Sequence, residues 1–102
     1  AQTNFSHGNV SFDPVAASLT VGTEHVTLRT RELRLLELLI SSPGQIFSKS
    51  KLVDRLFSYD QSVTENAIEV YIGRLRRHLV GADLAITTIR GMGYKLEKSK
   101  LL

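Results

Sequence analysis

The first 28 residues alternate apolar and polar positions in short runs. Val10-Ser11-Phe12 alternates and Asp13-Pro14 breaks the run. Leu19 and Val21 alternate up to a Gly22-Thr23 turn, and Val26 and Leu28 alternate again. Short runs of this kind, separated by turn residues, predict a small antiparallel sheet. The stretch around residues 3–6 fits one further strand. At Arg29 the period changes. Leu33, Leu36 and Ile40, with Leu35 and Leu39 beside them, recur at helical spacing until Ser42-Pro43-Gly44 stops the pattern. Thr30 is the expected N-cap, and Glu32 falls in the first turn, where the helix dipole favours an acid. Gln45-Ile46-Phe47 reads as a short extended link. Ser48 caps a second helix, with Leu52, Val53, Leu56 and Phe57 on its buried side. Residues 58–64 are polar and read as a loop. A third helix is expected from about Glu65 to Val80, ending near Gly81. Ile86–Ile89 and Tyr94–Leu96 then alternate on either side of Arg90-Gly91-Met92-Gly93, the signature of a β-hairpin. Sheet, three helices and hairpin together describe an α+β domain of the winged helix-turn-helix type.

The third helix has two distinct faces. At about 100° per residue, Ile68, Ile72, Leu75 and Leu79 share one narrow stripe, the expected core face. Asn66, Val70, Gly73 and Arg77 lie opposite, with Arg74 beside them and Glu69 and Tyr71 on the flanks. An outward valine is out of place on a merely solvated face, but it suits contact with thymine methyls in a major groove. Asn66 has the chemistry to pair with adenine, and Arg74 or Arg77 with guanine or phosphate. Gly73 removes a side chain from the middle of this face and lets a backbone approach closely.

Composition narrows the choice of chemistry. A chain of 102 residues makes one domain. With no cysteine, disulfides, thiolate metal sites and thiol catalysis are excluded. No apolar run approaches the ~20 residues of a membrane span, and residues 1–6 lack the apolar core of a secretory signal. The first residue is Ala1, so the chain is expected to be a piece of a longer protein, and a cytoplasmic location is the expectation. Net charge is only +3, but its distribution is uneven. Residues 1–28 carry two acids and no Lys or Arg; residues 74–102 carry seven basic residues against Asp83 and Glu97. A basic C-terminal third suits a polyanion such as nucleic acid. His7, His25 and His78 are scattered without metal-ligand spacing. Gly91-x-Gly93 lacks the strand-to-helix context and lysine of a phosphate loop. No catalytic group, metal or cofactor is therefore expected.

The most specific strings are Ile86-Thr-Thr-Ile-Arg-Gly-Met-Gly-Tyr-Lys-Leu96 and Asn66-Ala-Ile-Glu-Val-Tyr-Ile-Gly-Arg-Leu-Arg-Arg-His-Leu79. They follow Leu28-x-x-x-Glu32-x-x-x-Leu36 and Ser42-Pro-Gly-Gln-Ile-Phe-Ser48. Taken together, these four segments resemble the C-terminal effector domain of the OmpR/PhoB family of bacterial response regulators, over about residues 5–97. The resemblance implies an N-terminal four-stranded antiparallel sheet, a three-helix core and a C-terminal wing. It also implies an N-terminal receiver domain, absent from this chain, that would be phosphorylated by a cognate sensor histidine kinase. Its third helix would enter the major groove of promoter DNA. Asn66, Ala67, Glu69, Val70, Tyr71, Arg74, Arg76 and Arg77 occupy the helix positions from which family members touch bases or phosphates. Thr88 would donate to phosphate and Arg90 would enter the minor groove, where width and negative potential favour arginine. Lys49 and Lys51 are further phosphate-contact candidates, and Tyr94 is expected to pack beneath the wing. The loop Ser58, Tyr59, Asp60, Gln61, Ser62, Val63, Thr64 matches the segment that contacts RNA polymerase in some members. Two protomers would bind tandem direct repeats head to tail, the isolated domain being monomeric.

Four departures from the family pattern bear on these expectations. Arg29 follows Leu28 where a threonine is usual, Phe57 stands where tryptophan is common, Tyr71 replaces a frequent histidine, and Gly73 replaces a frequent basic residue. Fewer phosphate contacts, or a different base preference, are expected from that helix. Two other readings fit the same residues: a winged helix used only for protein contacts, and the same DNA-binding domain joined to something other than a receiver, such as a membrane-anchored activator.

Overall fold

The computed structural model describes residues 4–59 and 62–99. Its first four strands, β1 (Phe5–His7), β2 (Val10–Asp13), β3 (Ser18–Val21) and β4 (Glu24–Thr27), form an antiparallel sheet in sequence order. Val10 pairs with Val21 and Phe12 with Leu19, so four buried side chains share one face and the intervening polar residues take the other. Asp13 shapes the β2–β3 turn: its Oδ1 accepts from the backbone N–H groups of Val15 and Ala16 at 3.0 and 3.3 Å.

Three helices follow: α1 (Thr30–Ser41), α2 (Lys49–Phe57) and α3 (Glu65–His78). The leucine periodicity of α1 is confirmed, with Leu35, Leu36 and Leu39 fully buried. Its start differs from expectation. Arg29 is the N-cap, extended at φ −75° and ψ 157°, and no side chain caps the helix; Thr30 is the first helical residue. The cap falls to a residue whose side chain has no acceptor, leaving first-turn N–H groups without the usual hydroxyl. Ser48 caps α2 as expected, accepting from Lys51 N–H at 3.1 Å. Thr64 caps α3, accepting from Ala67 N–H at 3.4 Å. α3 stops at His78, two residues short of expectation, with Leu79 as C-cap and Val80 exposed beyond it.

The C-terminal hairpin, β5 (Leu84–Ile89) and β6 (Gly93–Lys98), forms a second, two-stranded sheet. The link before α2 does more than connect. Phe47 N–H donates to Tyr94 O at 2.8 Å, Tyr94 N–H donates to Phe47 O at 2.9 Å, and Gly44 N–H donates to Leu96 O at 2.8 Å. The link therefore pairs with β6, and Phe47 is buried with Leu52, Ile68, Ile72, Leu75 and Leu96 in the core between helices and wing. Wing and helices are held by both backbone pairing and apolar packing.

A polar clasp closes the far side. Asn9, in the β1–β2 turn, donates from its backbone N–H to Asp83 Oδ2 at 2.8 Å and from Nδ2 to Gly81 O at 2.9 Å. Its Oδ1 accepts from Asp83 N–H at 2.8 Å. The sheet is thus tied to the α3–β5 turn, 74 residues away in sequence. Asn9→Ala removes two side-chain bonds worth about 0.5–1.5 kcal/mol each. A loss of about 1–2 kcal/mol is expected, read as a lower urea midpoint at unchanged m-value. An unshifted midpoint would show that the clasp adds nothing.

Candidate nucleic-acid interface

α3 places its apolar stripe inward. Ile68, Ile72 and Leu75 are fully buried and Leu79 closes the stripe at the C-cap. The opposite side carries exposed Asn66, Val70 and Arg77, with half-buried Gly73 between them. Val70 is 49% exposed, an isopropyl group standing between polar neighbours on a helix that otherwise sorts its residues cleanly. At its N-terminal end Glu69 is tied back to α2 by Lys49 Nζ at 2.6 Å. That hydrogen bond holds the Lys49 ammonium above its ordinary pKa range. The pair reduces the negative field that Glu69 would otherwise present to a polyanion.

Arg74 sits at the edge of the stripe. Its Nη1 lies 3.6 Å from Oε2 of Glu32, and His78 Nε2 lies 3.8 Å from the other carboxylate oxygen. Glu32 is only 3% exposed, so its charge needs these partners. The ion pair draws Arg74 toward the start of α1 and fixes α3 against it.

Arg76 joins α3 to the wing. Its Nε donates to Ile86 O at 3.0 Å and its Nη2 to Thr88 Oγ1 at 2.6 Å. The guanidinium carbon lies 5.8 Å from the centroid of the Tyr94 ring, within cation–π range. Tyr94 is buried beneath the wing, as expected. Because Thr88 accepts from Arg76, its own O–H remains to be donated outward. The wing tip then carries Arg90 and Met92, both exposed, around a turn closed by Met92 N–H to Ile89 O at 2.9 Å. An open cleft separates this tip from the start of α2, lined by Ser48, Lys49, Ser50, Glu65, Thr88 and Arg90.

The structure leaves Asn66, Val70, Arg77, Thr88 and Arg90 exposed: the first three along the outward side of α3, where Arg77 also lines a cleft against β3 and β4, and the last two on the wing. It withdraws others. Tyr71 is 8% exposed; its hydroxyl accepts from Arg31 Nη1 at 2.8 Å and its ring lies 6.2 Å from that of Phe57. It is a core residue that anchors α3 to α1 and α2, not a surface contact. Ala67 is half-buried against the core. In the loop before α3, Ser58, Tyr59 and Ser62 are exposed, Val63 is buried, and Thr64 is committed to the helix cap; Asp60 and Gln61 lie outside the described residues. Val63 is 4% exposed and belongs to the buried core, which withdraws it from surface contact. Among the described residues no helix is long and apolar enough to cross a membrane.

The family described as transcriptional regulatory protein, C terminal, matches residues 22–96. The chain belongs to that family. It is 40% identical over 96 residues to the transcriptional regulatory protein QseB of Escherichia coli O157:H7, covering 94% of this chain and 43% of QseB. It is 39% identical over 92 residues to the phosphate regulon transcriptional regulatory protein PhoB of Rhizobium meliloti, covering 88% of this chain and 40% of PhoB. The chain thus spans about two fifths of the length of these relatives. Among solved structures, the DNA-binding domain of Klebsiella pneumoniae RstA in complex with the RstA box superposes with a TM-score of 0.76 at 30% identity, covering 93% of this chain and 97% of that one. The DNA-binding domain of E. coli CadC superposes with a TM-score of 0.82 at 25% identity, covering 97% and 96%. The winged-helix architecture of this OmpR/PhoB-type domain, with its four-stranded sheet and C-terminal hairpin, is therefore that of the family's solved domains.

Within this OmpR/PhoB-type domain, two residues matter that the sequence pattern did not single out as partners. Glu32 falls in the first turn, where the helix dipole favours an acid, yet it also lies three, four and seven residues before Leu35, Leu36 and Leu39, on the buried stripe of α1. An acid on a core stripe signals a buried ion pair. Arg31 supports Tyr71 and also donates to Ser62 Oγ at 3.2 Å. For Tyr71 the signal was angular: it stands about 60° from Ile68 on the helical wheel and more than 120° from the centre of the exposed face.

Proposed function

We propose that this chain binds double-stranded promoter DNA sequence-specifically, as the output domain of a two-component transcriptional response regulator. The observation that supports this most directly is the exposed Asn66–Val70–Arg77 stripe of α3, coupled through Arg76 and Thr88 to a wing that ends in Arg90. α3 lies in the major groove, where Asn66 and Val70 read base edges and Arg77 reads guanine or meets phosphate. Thr88 donates to a phosphate on the groove wall, and Lys49 and Lys51 add charge from α2. Arg90 enters the adjacent minor groove. Arg74 and Arg76 act chiefly by position: the first is tethered to Glu32, the second orients Thr88. The family membership and the RstA complex with its box support the same reading.

On this reading the domain acts by binding and not by catalysis, needs no cofactor, and works in the bacterial cytoplasm on the nucleoid. A receiver domain elsewhere in the full protein takes a phosphoryl group from a sensor histidine kinase, and two protomers then occupy direct repeats head to tail. The isolated domain is a monomer. The exposed Ser58–Tyr59 end of the α2–α3 loop is the surface offered to RNA polymerase.

The test is a salt titration of DNA binding, with selection from genomic fragments beside random competitor. A steep log–log loss of affinity with salt, together with an enriched direct repeat, is the expected result. Absence of binding at low salt would overturn the reading in favour of a protein-contact module. Steep salt dependence without enrichment would overturn its specificity. In the same assay Arg90→Ala is expected to weaken binding by about 1–3 kcal/mol and to lower the salt slope by about 1. Unchanged affinity would remove the wing from the interface.

A further inference from the structure

Gly73 stands in the middle of α3, five residues before the helix ends. Three intramolecular reasons could place a glycine there, and none applies. Its backbone is not left-handed: the glycines with positive φ are Gly8, Gly22, Gly44, Gly81, Gly91 and Gly93. A Cβ built on it meets nothing within 4 Å, so no neighbour needs the space. The helix runs unbroken through it, so it marks no kink or terminus. A glycine at such a position only weakens the helix, because it loses more backbone entropy on folding than alanine does.

Its location supplies the missing reason. Asn66, Val70, Gly73 and Arg77 form one stripe along the exposed face. The stripe has polar side chains at both ends, a short amide at Asn66 and a long guanidinium at Arg77, and is shallow at its centre, where a valine is followed by bare backbone. A flat apolar strip framed in this way matches the floor of a groove whose edges are polar. We propose that Gly73 is a specificity-determining residue, the point where the α3 backbone itself lies against base-pair edges, so that a Cβ is excluded by the DNA and not by the protein. The inference rests on the DNA-binding reading and assigns to this position the depth at which the helix seats.

Gly73→Ala separates the two sides of the account, because fold and binding move in opposite directions. Its thermal midpoint is expected to rise by about 2–6 °C, as a glycine-to-alanine change at an unstrained helix site does in a domain of this size. Its affinity for the best selected duplex is expected to fall tenfold or more, while binding to random competitor DNA changes less than twofold. Affinity equal to or above that of the unsubstituted protein would overturn the proposal. So would a lower thermal midpoint, since glycine would then serve the fold. If the unsubstituted protein shows no salt-dependent DNA binding, the DNA-binding reading fails first. If it binds and Gly73→Ala binds equally, only the role of Gly73 falls.

Discussion

Val70→Asp is expected to abolish specific DNA binding and leave the domain folded. Val70 is half-exposed, belongs to no part of the buried cluster, and lies at the centre of the outward stripe of α3. In the proposed docking the substitution would remove an apolar contact with a thymine methyl and place a carboxylate among base edges rich in acceptors and between two rows of phosphates. Each mismatch at a single base contact is worth about 1–3 kcal/mol. A buried, unpaired like charge adds its desolvation to that loss, so more than a hundredfold weakening is expected. The fold should notice little: exposed substitutions away from caps and buried networks usually shift stability within about 0.5 kcal/mol. Fluorescence anisotropy with a selected duplex reads the first effect, and thermal unfolding by circular dichroism reads the second. Retained binding would remove α3 from the groove. Loss of folding would mean that Val70 is part of the core.

Much of this architecture was legible in the residue pattern, and the gaps have definite causes. Strict alternation located β2 and β3, because one face of that sheet is buried and the other wet. The hydroxyl caps Ser48 and Thr64 set the starts of α2 and α3 by local hydrogen bonds, within three residues of chain. What local pattern could not supply were contacts between distant segments. The bridge from Phe47 to Tyr94 is made by backbone groups alone, which carry no residue signature, and the clasp joins the Asn9 and Asp83 side chains to backbone groups of a segment 74 residues away. The same limit applies to the site. The exposure of Asn66, Val70, Arg77 and Arg90 could be read from their face or turn alone. Arg74 and Arg76 were not separable from them, because whether an arginine is free depends on a carboxylate 42 residues upstream or a carbonyl ten residues downstream. Tyr71 stands on the boundary between faces; its ring packs near Phe57 and its hydroxyl accepts from Arg31, which decides it for the core.

Gly93→Ala is expected to give the largest loss of stability, because it strikes the seam between wing and helices. Gly93 opens β6 at φ +143°, a conformation that residues with a side chain rarely adopt. A Cβ there would lie 2.0 Å from Phe47 O and 2.8 Å from Ser48 Cα, both backbone atoms. Backbone cannot yield as a flexible side-chain end can. The link Gln45–Phe47 must therefore move off β6, and the reciprocal bonds between Phe47 and Tyr94 go with it. Strain of about 1–3 kcal/mol and two lost bonds of about 0.5–1.5 kcal/mol each combine to an expected destabilisation of about 3–5 kcal/mol. For a domain near 100 residues this lowers the thermal midpoint by more than about 10 °C. Gly91→Ala is the internal comparison. Its φ is also positive, at +77°, but nothing lies within 4 Å of a built Cβ, so only left-handed strain of about 1–2 kcal/mol applies. If the two variants unfold at the same temperature, the seam is not what holds the wing. If Gly93→Ala is much the weaker, the surviving folded fraction should, on the proposed function, also bind DNA poorly, because the seam holds the hairpin that carries Thr88 and Arg90 against the helices.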